Sequence, residues 1–531
     1  MTQPIRDEDA RIIRFGGGRN SRASEDQIDP LECADGENFL LDPGNSDFRP
    51  REAFNLVGTA PNGQQINGLV TLQKTDGAIS MLVQAGTNVY QWDGVSTFTL
   101  VGTVAAGTKL RGRTEAFWAL TDKVLIADVG LADDIQSWDG STFQQETFLQ
   151  SDGSTAFGPF RCKYIVVDNE LAFFLNIHDN GSNFPHLLVG SQRGNYLIVD
   201  TATRPSTSAS EEDPFFLPMP QLKPINGAAT AFGVLAVSAE FGAFEKLTGS
   251  SAKDYALKKL HRGSGARGDE AMVPAGNDVL YGADGRIESL QSTDKFGDVE
   301  LDDISFKIKD DIETFDDWTL EYNDRLHRLY CFPTGENEVH VCFTEFIGSQ
   351  LSPWSKYTTR HEFSFAPTTV MTCFDPADSL RYVFMGDANG NLYRLEGTAG
   401  AGDAGGTVIE ASRTSSLNAS ILDAKTFGMK GWAQFRKQTD VTLTLQYLFA
   451  GEHVYNKQIE VVLPGVDFDT VYNGAAYYGG EFFYGTKHEN RLVRSTFGVA
   501  HFANQWQVKT TIESVNNFAL SEVGQRYDFA G

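Results

Sequence analysis

Basic residues are scarce in this chain: 44 Lys and Arg stand against 70 Asp and Glu in 531 residues, a formal net charge of −26. A surface this acidic repels phosphate, which argues against wrapping nucleic acid in a basic groove. It is compatible with a lumen that DNA slides through, and plain solubility accounts for the same imbalance. Cysteine is scarcer still. Cys33, Cys162, Cys331, Cys342 and Cys373 are odd in number, widely spaced and without a CxxC pair. That argues against a disulfide framework and a zinc site, and fits assembly in a reducing compartment. No run approaches the roughly 18 apolar residues of a membrane-spanning helix. The opening MTQPIRDEDARIIRF carries acidic residues where a signal peptide would have its apolar run, so secretion is not expected.

Catalytic signatures are also missing. The nine histidines are dispersed, none in HExxH, and there is no GxSxG, P-loop or kinase set. Nothing in the sequence therefore argues for an enzyme, and no catalytic residue, metal or cofactor is expected. Carboxylates, which propeller glycosidases use, are too numerous for any pair to stand out.

What is present is glycine (52 residues) and a repeat. NVYQWDGVSTF from Asn88 and DIQSWDGSTF from Asp134 place Trp92-Asp93-Gly94 and Trp138-Asp139-Gly140 46 residues apart, each after an alternating strand and before a Phe, Phe98 or Phe143. Repeats of this length, built of short strands and glycine turns, are how a β-propeller blade reads. The aspartates read as turn residues and the tryptophans as packing anchors.

Taken in order, residues 1–54 are polar and turn-rich, with a short strand at Arg11–Phe15 broken by Gly16-Gly17-Gly18; they read as an extended arm lying on other structure or on a neighbouring subunit. Residues 55–397 read as strand after strand. CKYIVVDNELAFFLNI (Cys162–Ile177) turns at Asp168-Asn169, and the polar stretch Thr201–Pro224 reads as an exposed loop. GVLAVSAEFGAFEKL (Gly233–Leu247) and DVLYGADGRIESL (Asp278–Leu290) set Gly242 and Gly285 43 residues apart. Leu301, Ile304, Ile308, Ile312 and Phe315 form a helical stripe within Asp298–Asp317, predicting one inserted helix. Hairpins follow at Trp318–Phe332 and Ser379–Gly397. The count is about six blades, with five or seven also open. Residues 398–407 (TAGAGDAGGT) read as a linker, and 408–531 as a smaller antiparallel β-domain of sandwich type, strands at Val441–Phe449, Gln458–Leu463 and Val508–Ser514. The fold class is thus all-β.

Three motifs invite chemistry. GSGARG, Gly263–Gly268, matches GxGxxG but lacks the strand before and helix after that a dinucleotide site needs, so it reads as a loop between blades. Asp387–Asn391 (DANGN) resembles a calcium loop without its closing Glu and reads as a hairpin turn. Tyr472–Gly485 could stack bases, but has no interleaved Lys or Arg.

Several phrases resemble the tail nozzle or DNA-stabilisation proteins of tailed bacteriophages. They are the Gly-rich start followed by Glu32, Asn38 and the turn with Arg49 and Arg51; Asp278–Leu290; the Asp302–Ile312 stripe with the Trp318–Phe332 hairpin; and WSKY, Trp354–Tyr357. The similarity covers most of residues 12–400 in pattern, with little strict identity. It implies a structural protein of the virion tail, assembled in the bacterial cytoplasm. Such a protein forms a ring homo-oligomer, commonly a hexamer, that extends the DNA channel, retains the packaged genome, and contacts the tail adaptor or tube protein and the tail fibres. Genomic DNA would pass through without specific contacts, and no membrane insertion is implied. The alternative is a glycan-binding or glycan-cleaving propeller acting as a receptor-recognition protein at the tail tip.

Overall fold

A computed structural model gives a nearly all-β chain, with one α-helical turn, Lys309–Ile312, among the described residues. The structure describes residues 10–14, 16–24, 27–41, 48–220, 222–231, 234–240, 244–261, 265–276, 278–292, 299–358, 367–396 and 403; beyond 408 it describes 409–415, 418–419, 426–436, 441–449, 457–463, 492–497, 502–503, 505–514 and 519–529.

Among these residues the body is a β-propeller of seven antiparallel blades. Blade 1 is Ile66–Gln73, Ile79–Ala85, Asn88–Trp92 and Phe98–Thr103. Blades 2 to 6 have inner strands Leu110–Gly112, Phe160–Asp168, Ile225–Ala231, Met272–Ala275 and Trp318–Asn323. Blade 7 takes Thr369–Phe374, Arg381–Gly386 and Asn391–Arg394, and its outer strand is Asn55–Thr59, from ahead of blade 1. Inner strands of successive blades lie side by side, except that blade 2 meets blade 3 through Lys123–Asp128 and Thr114–Ala116, and that of blade 7 lies against that of blade 1, so the circle closes. The seventh blade escapes a count along the sequence because its fourth strand stands more than 300 residues from the other three.

The repeat explains how blades stack. Trp92 and Trp138 occupy equivalent third strands and are fully buried. Trp138 donates its Nε1–H to Ser80 Oγ of blade 1 at 3.0 Å, and Trp92 meets Phe384 of blade 7 edge-on at 5.6 Å. Each Trp therefore anchors its blade to the one before. The aspartates that follow fold the turns: Asp93 Oδ1 accepts from the N–H groups of Val95, Ser96 and Thr97, and Asp139 Oδ1 from those of Ser141 and Thr142. The hairpin expected at Asp168-Asn169 turns one residue later: Asp168 still pairs with Leu171, and Asn169 and Glu170 take the positive φ that a two-residue turn needs.

The expected helix over Asp298–Asp317 is corrected. Val299–Asp303 is the fourth strand of blade 5, with Leu301 paired to Leu290, and only a short 3₁₀ turn (Phe306–Ile308) and the α-turn follow. Ile304, Ile308 and Ile312 are buried as the stripe predicts; the blade's need for a fourth strand takes the residues before them. Likewise Phe215–Pro218, inside the stretch read as a loop, is the outer strand of blade 3.

Beyond the propeller, blade 6 does not end at Trp354–Thr358. Its sheet continues through Cys33–Glu37, Ile409–Ser415, Gln505–Ser514, Val441–Phe449 and Lys457–Leu463. A second sheet orders Ala10–Arg14, Ala519–Phe529, Thr426–Arg436 and Leu492–Phe497. Both sheets thus interleave strands from the two ends of the chain. Most of the 398–407 stretch, Gly242 and all of Tyr472–Gly485 lie outside the described residues.

Candidate functional site

Two clusters of buried charge stand out, one where the arm meets blade 6 and one on the propeller axis. The first contains the residues of the opening pattern. Gly18 lies on the backbone of blade 6, donating to Ser352 O at 2.7 Å, and a Cβ there would sit 2.2 Å from Trp354 O. Only glycine fits that approach. Arg19, next along, pairs with Asp311 at 2.6 Å and with Asp35. Glu32 is buried and accepts from Asn20 Nδ2 at 2.7 Å, the Ser352 N–H at 2.5 Å and Lys307 Nζ.

Asn38 and Arg51 make the second half of this clasp. Asn38 donates to Glu410 O at 3.0 Å and accepts from Thr358 N and Arg51 Nε at 2.9 and 2.8 Å. Arg51, with no exposed side-chain surface, grips Asp403 through both Nη atoms at 2.7 and 2.5 Å and stacks 3.8 Å above the Phe54 ring. Arm, blade 6 and the segment after the propeller are thereby tied at one place. A second carboxylate near the propeller's exit, Glu396, accepts from Tyr357 Oη at 2.9 Å and from Tyr330, with Arg328 at 2.5 Å. Paired buried charges of this kind fix geometry more than they add stability. They hold the chain's two ends against the closing blades.

On the axis, charges meet across the ring. Arg111 of blade 2 forms a bidentate pair with Glu270, at the head of blade 5. Arg113, just beyond it, reaches Glu321 of blade 6 at 2.5 Å, while Glu321 Oε2 accepts the Thr372 N–H of blade 7 at 2.9 Å. Lys163 of blade 3 meets Asp269 at 2.8 Å. Burial opposes the Arg113 charge, yet Glu321, Glu270 and Glu115 together lift its pKa above the ordinary guanidinium value. These pairs bridge the channel and leave two cavities that share Arg113 and Glu115: one of about 60 Å³ toward blades 3 and 5, one of about 240 Å³ toward blades 6 and 7. The sequence reading named none of the axial residues. Their partners lie 159, 208 and 106 residues apart along the chain, beyond any local pattern.

The motifs settle as turns and packing. The described part of Gly263–Gly268 connects blade 4 to blade 5, with Arg267 N bonded to Gly282 O at 2.8 Å and a Cβ at Gly268 only 2.4 Å from Trp318 O. Both oxygens of Asp387 are taken: Oδ1 by the N–H groups of Asn389 and Asn391, Oδ2 by Asn391 Nδ2 and Tyr393 Oη. Among the described residues no group of three His, Cys, Asp or Glu side chains is placed to hold a metal ion.

The class this geometry defines is a seven-bladed β-propeller closed by its own N-terminal segment. No protein-family model matches the chain, and no curated protein matches it. Among solved structures it is similar to the WD40 domain of Toxoplasma gondii coronin (11% identity, 68% of this chain and 87% of that one, TM-score 0.37). It is also similar to YCF48 from Cyanidioschyzon merolae (11% identity, 65% and 98%, TM-score 0.38).

Proposed function

We propose that this chain is a structural protein of a phage tail, a nozzle subunit that assembles as a ring, extends the DNA channel and seats tail fibres. The observation that carries the reading is the clasp. The residues of the nozzle-like opening pattern, Gly18, Glu32, Asn38 and Arg51, are buried and bonded to blade 6 and to the segment after the propeller. They serve shape. The sheets built beside blade 6 make the molecule one-sided, as a subunit with distinct inward and outward faces would be. Ion pairs cross the axis of a single propeller, so in this reading DNA runs between copies. A net charge of −26 disfavours phosphate contacts along that path.

Electron microscopy of the purified chain tests the proposal: closed rings of fixed copy number are expected. Monomers that bind or cleave host polysaccharide would instead favour the receptor-recognition alternative, whose natural site is the 240 Å³ cavity with Glu115, Glu321 and Asp324 on its wall.

A further inference from the structure

The smaller axial cavity has hydrogen-bond donors to spare. Its charged lining is balanced, with Arg111, Arg113 and Lys163 facing Glu115, Asp269 and Glu270. The acceptors are largely committed: Glu270 holds Nε and Nη2 of Arg111, and Asp269 holds Lys163. Arg111 Nη1 has no partner, although the side chain is nine-tenths buried (10% exposed). The buried Tyr164 hydroxyl, on the same wall, lies beside the Asp269 carboxylate, an acceptor already engaged by Lys163. Burial first, then Asp269 and Glu270, push the Tyr164 pKa well up, so its hydroxyl keeps its proton and stays a donor. An unpaired N–H on a guanidinium this buried is costly. The space, about 60 Å³, holds about four waters or one small oxyanion, on the scale of 10–15 Å³ per enclosed water.

We propose that this cavity is a binding site for a small monovalent oxyanion of carboxylate type, received by Arg111 Nη1 and the Tyr164 hydroxyl between blades 2, 3 and 5. A monoanion suits a lining of balanced charge, where a dianion would meet Asp269 and Glu270 at close range. Bound there, it would join blade 2 to blade 3 at the axis, beside the bond Arg111 already makes to Glu270. The site does not depend on the nozzle reading, since it belongs to the propeller alone.

The test is thermal unfolding of the full chain in rising sodium acetate against sodium chloride at matched ionic strength. The midpoint should climb with the logarithm of acetate concentration above its dissociation constant, as ligand binding to the folded state requires. Arg111→Lys, which keeps the charge facing Glu270 but loses the free N–H, should abolish the climb, while Arg161→Lys, outside the cavity, should keep it. Equal midpoints in the two salts for the unaltered chain, or an acetate effect that survives Arg111→Lys, would overturn the proposal. Should Arg111→Lys fail to fold, an experimental structure of the unaltered chain in acetate decides: an oxyanion within hydrogen-bond distance of Arg111 Nη1 supports the site, and water alone there refutes it.

Discussion

Trp92 and Trp138 are where sequence and structure agree most closely. Each is buried and reaches back to the preceding blade. Replacing either by Ala should cost about 3–5 kcal/mol in a denaturant melt. Trp138 should be the costlier, since Ser80 Oγ also loses a donor; a loss under about 1 kcal/mol would contradict its role as an anchor. Asp403 is a different case, because among the described residues it is the charge that pairs with Arg51. Asp403→Ala strands a fully buried guanidinium and should cost about 3–5 kcal/mol, whereas replacing Arg51 and Asp403 together by apolar residues should cost less than that. A double-mutant cycle measures the difference. Asp152 tests the turn chemistry by pH. The Thr155 hydroxyl, then the N–H groups of Thr155 and Ser154, lower its pKa to about 2. Its contribution to stability is present above the unfolded carboxyl pKa, near 4, and is lost as pH falls through about 2. A carboxyl-carbon NMR titration should place its midpoint there, and a midpoint near 4 would show the turn to be open.

At the scale of elements, local periodicity was informative and its limits were physical. Val441–Phe449 is a strand with the boundaries its alternation gives, and the hairpin read at Asp168-Asn169 forms one residue later, at Asn169-Glu170. The stripe from Leu301 to Phe315 shows the opposite. Burial every three or four residues is satisfied by a strand followed by a single helical turn, so period alone could not separate that from a helix. Asn55–Thr59 gave no sign that its partner was Asn391–Arg394. Nor could spacing show that Glu32, Asn38 and Arg51 converge on blade 6, though their polar character inside an arm was visible. The arm's docking rests on Gly18. Gly18→Ala should release the arm's grip on blade 6, seen as faster proteolytic cleavage within residues 16–41, while Gly63→Ala, which at φ +60° strains only its own turn and meets no neighbour, should leave that cleavage unchanged. Equal cleavage rates in the two variants would mean that the close approach at Trp354 is not what seats the arm.

For the whole molecule, closure is the organising fact. A circle of blades needs its ends joined, and here the outer strand of blade 7, the clasp and the shared sheets all use the N-terminal segment for that purpose. Charges that neutralise one another cross the axis and tie opposite blades together. A propeller with one built-up side is suited to packing beside copies of itself, and the ring proposal rests on that. Mass photometry of the purified 58.3 kDa chain, with particles imaged by electron microscopy, tests it most directly. The expected result is one dominant species at a whole multiple of the chain mass, seen end-on as a closed ring with an open centre between subunits. A chain that stays monomeric up to micromolar concentration, or that forms open chains of no fixed length, would contradict the account.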